Sequence, residues 1–234
     1  MRGDLTQARG RAPEGGGGDR SISPTLRAWL DAEPLGGRTV LDVGTGAGRL
    51  ALHLALRARR VVGIDTDAGA LVEARRRAHR GGHANVVFVV ADAEQADYRA
   101  LGPPDVVVAH LCMSDSIVAR AGAGLSPGGV LAFAAFHVDQ WRETGRASRF
   151  AYEPERARAV LSASGFAVER LEVEQAVRRF ASAAEAVRAA ADLRARWEPD
   201  GRWAAWERFV ADGGRELTQS RLVVLARRGP GSSG

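Results

Sequence analysis

Hydrophobic residues along the 234-residue chain come in two patterns, short unbroken runs and longer stretches with helical spacing. The short runs are 39–43 (TVLDV), 61–65 (VVGID), 85–91 (NVVFVVA), 105–111 (DVVVAHL) and 130–136 (VLAFAAF). Runs of this length, rich in β-branched residues and bounded by Gly and Pro, predict strands. The continuous apolar character of 85–91 predicts a strand covered on both faces. Between the runs, helical periodicity predicts a helix after Ser23 and Pro24, with Leu26, Trp29 and Leu30 on one face. A second helix follows Gly48. A third runs from about Asp67 to Gly81 and Gly82, with Leu71, Ala74 and Ala78 inward, and a short fourth spans 116–121. Strands alternating with helices in this way give a parallel sheet sandwiched between helices.

Beyond residue 136 the pattern loosens. Residues 137–152 are polar and hold Trp141. Pro154 opens a helix ending near Gly165, 166–180 reads as a long strand, and Ser182 caps a helix over 183–196. Trp197, Trp203, Trp206 and Phe209 crowd a further helical stretch, and 221–228 (RLVVLARR) is the last strand. The tryptophans suit either a lid over an apolar ligand or a packed core. Residues 1–20, Arg- and Gly-rich with four consecutive glycines, read as a disordered leader, and 229–234 as a flexible tail.

Composition narrows the chemistry. All 33 basic side chains are arginine. Without lysine there is no Schiff base and no P-loop Gly-Lys-Ser/Thr. One cysteine, Cys112, excludes an internal disulfide and a cysteine-based zinc cluster, and no metal site is expected. The formal net charge of +5 permits nucleic-acid binding without arguing for it. No apolar run approaches the roughly 18 residues of a membrane span, so the expectation is a soluble, cytoplasmic protein.

The stretch Val40-Leu41-Asp42-Val43-Gly44-Thr45-Gly46-Ala47-Gly48-Arg49 joins a strand to a helix through three glycines at alternating positions. A turn stripped of side chains lets a ligand approach the backbone. The dinucleotide fingerprint G-x-G-x-x-G would place its last glycine where Arg49 stands, which argues against a pyrophosphate ligand. Two further strands end on carboxylates, Asp65 and Asp92.

In this order the motifs resemble those of the class I S-adenosylmethionine-dependent methyltransferases. Residues 41–48 look like their first motif, 61–65 their second strand with its ribose-binding acid, and 89–93 (VVADA) their adenine-side motif. Residues 105–111 and 125–131 (LSPGGVL) are similar to the fourth- and fifth-strand motifs. The resemblance implies an α/β, doubly wound, mostly parallel seven-stranded sheet with helices on both faces, a Rossmann-like methyltransferase fold with the last strand antiparallel. It implies a single domain over 21–228, with a helical cap from about 137–152 and 182–215. S-adenosyl-L-methionine would be the cofactor and S-adenosyl-L-homocysteine the product. The implied cofactor-binding residues are Asp42, Gly44, Thr45, Gly46, Asp65, Thr66, Asp92, Ala93 and His110. Asp65 would accept the ribose hydroxyls and Asp92 the adenine amino group, though Asp65 could instead merely cap its helix and Asp92 a turn.

The acceptor side is less defined. Ligands of such sheets lie beyond the carboxyl ends of the strands, which nominates His110, Ser114, Asp115, His137 and Trp141. His137 and His110 are the candidate catalytic bases. Nothing resembles the Asn/Asp-Pro-Pro-Tyr motif of amide or amino methylation, and Cys112 lacks a preceding proline; Cys112 and Met113 read as packing residues. Residues 152–166 resemble the small-molecule branch, as in quinone- and biotin-pathway-type methyltransferases. The expectation is methyl transfer to a small-molecule acceptor by a monomer or homodimer. An RNA methyltransferase and a non-catalytic S-adenosylmethionine-binding protein are the alternatives.

Overall fold

The computed structural model describes residues 21–148 and 150–230, and the leader expected over 1–20 lies outside them. Helix α1 (Pro24–Ala32) starts as its sequence dictates. The Ser23 hydroxyl accepts the Leu26 N–H at 3.1 Å, Pro24 sits at the first helical position, and Leu26, Trp29 and Leu30 are buried. Strand β1 (Thr39–Val43) is buried throughout and pairs in parallel with β2 (Arg60–Asp65) and β4 (Val106–His110). Strand β3 (Val86–Val90) extends β2, and β5 (Val130–His137) extends β4, both in parallel. The full order is β3-β2-β1-β4-β5-β8-β7, with β7 at Phe166–Arg179 and β8 at Glu216–Arg228. The two-residue strand β6 (Ala151–Tyr152) pairs with the end of β5. The result is a mixed, mostly parallel sheet, antiparallel at its C-terminal strands, packed with helices in a Rossmann-like methyltransferase fold. Backbone bonds exchanged between Gly128, Gly129 and Arg228 join β8 to the start of β5.

The helix expected over 183–196 is broken into α6 at Ala183–Ala189 and a separate turn at Arg194–Trp197, and the expectation for β3 also needs correction. Strand β3 is not covered on both faces: it is the sheet's edge, and Val87 and Val90 are 45% and 56% exposed. Its unbroken valines reflect strand propensity rather than double burial, because an edge strand has a neighbour on one side only.

The chain divides into two compact units. The larger comprises residues 22–135, 154–171 and 223–230. Its core joins Leu26, Leu30 and Leu35 to β1, to helices α2 (Arg49–Ala55) and α3 (Ala68–Arg80), and to Val223 and Leu225. Helices α4 (Asp115–Gly124) and α5 (Pro154–Ala163) also belong to it. The Arg228 guanidinium donates to the carbonyls of Gly122 and Gly165, tying the last strand to the ends of α4 and α5.

The smaller unit comprises residues 136–153 and 172–222. It holds α6 (Ala183–Ala189), the single turn α7 (Arg194–Trp197) and α8 (Arg202–Ala211). Its centre is aromatic. Trp197 stands edge-on to Trp141 at 5.2 Å and to Trp206 at 6.3 Å, while Trp206 stacks on Phe209 and meets Phe180. Trp197 and Trp206 are fully buried. These rings are the unit's core. A second, polar seam joins the chain after β5 to β8. The Glu143 carboxylate accepts from both the N–H and the hydroxyl of Thr218, Gln140 accepts the Ser220 N–H at 2.6 Å, and Trp141, at φ +59°, donates its N–H to the Thr218 carbonyl.

Candidate cofactor site

The sheet order reverses between β1 and β4, and at such a switch point the loops leaving adjacent strands part to leave a crevice at the strands' carboxyl ends. The glycine turn lies at this end of β1. Gly44, Gly46 and Gly48 have φ of +64°, +53° and +79°, a region costly for residues with a Cβ. Their surroundings differ. A Cβ on Gly44 would come within 2.4 Å of the Cys112 Sγ, and one on Gly48 would meet the Phe88 ring at 2.9 Å. A Cβ on Gly46 would meet nothing within 4 Å. Packing therefore requires Gly44 and Gly48 to be small, whereas Gly46 presents bare backbone to open space.

Asp65, at the tip of β2, clamps this turn. One carboxylate oxygen accepts the Gly46 N–H at 2.8 Å and the other the Asp67 N–H at 2.9 Å. A carboxylate has roughly four acceptor sites, so capacity remains on both oxygens. Asp67 caps α3 by accepting from Ala70, which leaves Asp65 free of that task. Thr66, between them, is exposed.

Asp42 lies within β1, 1% exposed. Its Oδ2 accepts the Thr45 hydroxyl at 2.6 Å and the Ala51 N–H at 3.1 Å, fastening strand, turn and α2 together. Burial pushes its carboxyl up to about 7; the bonds from Thr45 and Ala51 pull the other way, and the nearby Asp65 charge adds to the rise.

Asp92 follows β3. Its oxygens accept the Glu94 N–H and the Gln95 side-chain amide, both at 2.9 Å, forming a tight turn around Ala93. The turn is held from outside: Tyr98 donates to the Ala93 carbonyl, Ser114 to the Glu94 carboxylate at 2.6 Å, and Arg120 to the Glu94 carbonyl. Both acids thus organise the turns around them. Asp65 and Asp92 each keep acceptor capacity.

His110 ends β4, and its Nε2 accepts the Ser23 N–H at 3.2 Å, joining it to the start of α1. Ser114 is the N-cap of α4, and Asp115 pairs with Arg156 at 3.0 Å. His137 and Trp141 belong to the smaller unit. The His137 Nδ1 accepts the Asp139 N–H at 3.3 Å and lies 3.0 Å from the Ser220 hydroxyl. The amide can only donate, so Nδ1 is the unprotonated nitrogen and the neutral ring carries its proton on Nε2. Burial lowers the His137 pKa, against the pull of Asp139 and Glu153. Among the described residues no group of three or more His, Cys, Asp or Glu could hold a metal ion, and no helix is long and apolar enough to cross a membrane.

Sequence reasoning missed the turn at Leu111, and it read Cys112 as a packing residue without seeing what it packs against. Leu111 turns the chain at φ +61°, and Cys112 donates its thiol to the Val43 carbonyl at 3.1 Å, beneath Gly44. Burial pushes that thiol up to about 12, so it remains protonated and acts as a packing and donor group. It missed Phe88 too, although Gly63 inside a strand was a usable signal: a Cβ there would meet the Phe88 ring at 2.7 Å.

Fold and site together define a Rossmann-like domain with a glycine turn clamped by the acid of the neighbouring strand. Residues 40–129 match a family model described as a methyltransferase domain. The chain is 34% identical over 139 residues to the ribosomal protein L11 methyltransferase of Pseudomonas putida (strain GB-1), a match covering 56% of this chain and 45% of that relative. The chain thus spans about half the length of the curated relatives it matches. Among solved structures it is similar to the YcgJ protein of Bacillus subtilis, with TM-score 0.68, 15% identity, and 88% of this chain and 99% of that one covered. It is also similar to an S-adenosylmethionine-dependent methyltransferase from Mesorhizobium loti, with TM-score 0.55, 21% identity, and 88% and 96% covered. Residues 40–129 thus match a methyltransferase domain, and the chain shares the fold of these solved structures.

Proposed function

We propose that this chain transfers a methyl group from S-adenosylmethionine to a small-molecule acceptor. The observation that carries the reading is Gly46: a positive φ, open space where a side chain would project, and an N–H fixed by the Asp65 carboxylate. Such a surface admits a ligand against backbone, with an acid beside it that retains acceptor capacity. The donor supplies a methyl group on a positively charged sulfur, delivered by in-line displacement. The protein's part is mainly orientation.

In this reading Asp65 accepts the ribose hydroxyls on its remaining lone pairs, with Thr66 beside it. The Asp92 turn receives the adenine edge, with the amino group donating to the carboxylate and the Ala93 N–H serving a ring nitrogen. Gly44, Thr45 and Gly46 line the methionyl portion. Asp42 adds a carboxyl whose ionisation a nearby positive charge favours. His110, tied to Ser23, contributes backbone at the end of β4 rather than a base. His137 presents an Nε2–H, so as a neutral ring it donates a hydrogen bond to an acceptor oxygen instead of removing a proton at that atom.

A second reading is a protein acceptor, favoured by the likeness to a ribosomal protein L11 methyltransferase. That match covers less than half of the relative, so it bears on the donor side more than on the acceptor. The deciding experiment supplies methyl-labelled S-adenosylmethionine with either a small-metabolite extract or ribosomal protein. Label in a small molecule supports the first reading, label in protein the second, and label in RNA contradicts both.

A further inference from the structure

A second depression of the surface lies at the opposite end of the parallel strands, with Arg59, Arg60, Val87 and Pro103 exposed along it. A cavity of about 670 Å³ is lined by Thr39, Arg59, Arg60, Val87, Pro103 and Asp105, among others. These residues sit where β1, β2 and β3 begin, whereas Gly46 and Asp65 follow the carboxyl ends of β1 and β2. The volume falls within the roughly 300–1,000 Å³ typical of small-ligand pockets.

Its charge is unbalanced. Arg59 spends one of its five N–H donors on the Thr39 hydroxyl, at 3.0 Å. The Arg60 side chain lies over Gly102, its Nη1 3.6 Å from where a Cβ would be. Neither guanidinium has a carboxylate within ion-pair distance among the described residues, in contrast to Arg57, Arg77, Arg156 and Arg227. Asp105 is the cavity's one acid, and its Oδ2 is occupied by the Thr39 N–H at 2.8 Å. One net positive charge remains.

The cavity is also held open. The backbone N–H groups of Arg59 and Arg60 both donate to the Arg38 carbonyl, fixing where the two side chains start. Asn85 donates to the carbonyls of Ala55 and Ala58 at 2.8 and 2.9 Å. Gly102, at φ +114°, turns into Pro103, whose ring stiffens the wall. Ala84, Val87 and Pro103 give an apolar side beside the guanidinium groups. A charged fork beside an apolar wall in a concave site concentrates anions and matches the oxygens of a phosphate or carboxylate.

We propose that this cavity binds a small organic anion, its phosphate or carboxylate head on Arg59 and Arg60 and its apolar body against Val87 and Pro103. The inference does not depend on the methyl-transfer reading. Titration calorimetry with phenyl phosphate on the full chain tests it. Phenyl phosphate should bind saturably, weaken as salt rises, and bind equally well with S-adenosylhomocysteine present. Phenol should not bind. Arg60→Gln, which removes no side-chain hydrogen bond, should weaken binding about tenfold, as expected for loss of a charge-assisted pair. A double Arg59→Gln, Arg60→Gln variant should abolish it. No saturable binding overturns the inference, as does equal binding by a folded Arg60→Gln variant, competition by S-adenosylhomocysteine, or an equal affinity for inorganic phosphate. Binding of an RNA oligomer at this face where phenyl phosphate does not bind also counts against a small ligand.

Discussion

The carboxylate of Asp65, at the end of β2, accepts the backbone N–H of Gly46 at 2.8 Å. This bond links the tip of one strand to the turn leaving its neighbour, and it fixes the one glycine of the turn that faces open space. The two glycines either side of Thr45 therefore have separable roles.

Alanine substitution distinguishes them. Gly46→Ala introduces a Cβ at φ +53° with no clash, so it should cost about 1–2 kcal/mol of left-handed strain. Gly44→Ala adds a collision with Cys112 to similar strain and should cost about 3 kcal/mol or more. Urea denaturation checks the order. Gly46→Ala should also lose cofactor affinity out of proportion to its stability. Equal destabilisation by the two would contradict the different surroundings.

Asp42 gives a pH signature. Its native pKa of about 7 lies above the ordinary 3.8, so between those values the folded chain holds a proton that the unfolded chain has released. This carboxyl therefore makes stability fall as pH rises from about 4 to 7, by at most roughly 1.4 kcal/mol per pH unit. In Asp42→Asn that contribution disappears, so the stability difference between wild type and variant should change across this window and level off above it. A difference independent of pH would show that Asp42 is ionised throughout.

A bound positive charge should also drive the proton off Asp42. Near pH 6.5, binding of S-adenosylmethionine should release a fraction of a proton, visible in calorimetry as a heat that varies with the buffer's ionisation enthalpy. Asp42→Asn should remove that dependence. Buffer-independent heat in the wild type would place the charge away from Asp42.

His137 titrates in the other sense. Its native pKa lies below the ordinary 6.5, so the folded chain binds fewer protons than the unfolded chain beneath that value. Its stabilising contribution is complete above pH 6.5 and is lost as pH falls to the native pKa, where protonation of Nδ1 breaks the bond from Asp139. Nitrogen NMR should find Nε2 protonated and Nδ1 bare at neutral pH, with a midpoint below 6.5. The opposite tautomer would return His137 to the role of a base acting through Nε2.

The donor side of the fold was legible because its signals are local. Ser23 and Pro24 start α1, the glycines force a turn, and apolar runs broken by Gly and Pro mark β1, β2, β4 and β5. The sheet's parallel character followed from alternation. What escaped depends on neighbours distant in sequence. Val87 and Val90 look like core valines until β3 is placed at the edge. Cys112 looks inert until its thiol is placed under Gly44, 68 positions earlier in the chain, where it donates to Val43. Asp42 reads as a charge facing a ligand, yet burial raises its pKa to about 7. The tryptophans of 197–206 were open between lid and core because ring composition carries no direction; their mutual packing identifies a core. The polar seam of Gln140, Glu143, Thr218 and Ser220 has no sequence period at all, since its partners are about 75 to 80 residues apart.

Calorimetric titration of S-adenosylhomocysteine into wild type and Asp65→Ala tests the central claim most directly. The account predicts micromolar-range binding by the wild type. It predicts a loss of about ten- to a hundredfold in a folded Asp65→Ala variant, the scale of the hydrogen bonds to a charged group that are removed. No binding by the wild type, or the same affinity in both proteins, would contradict it.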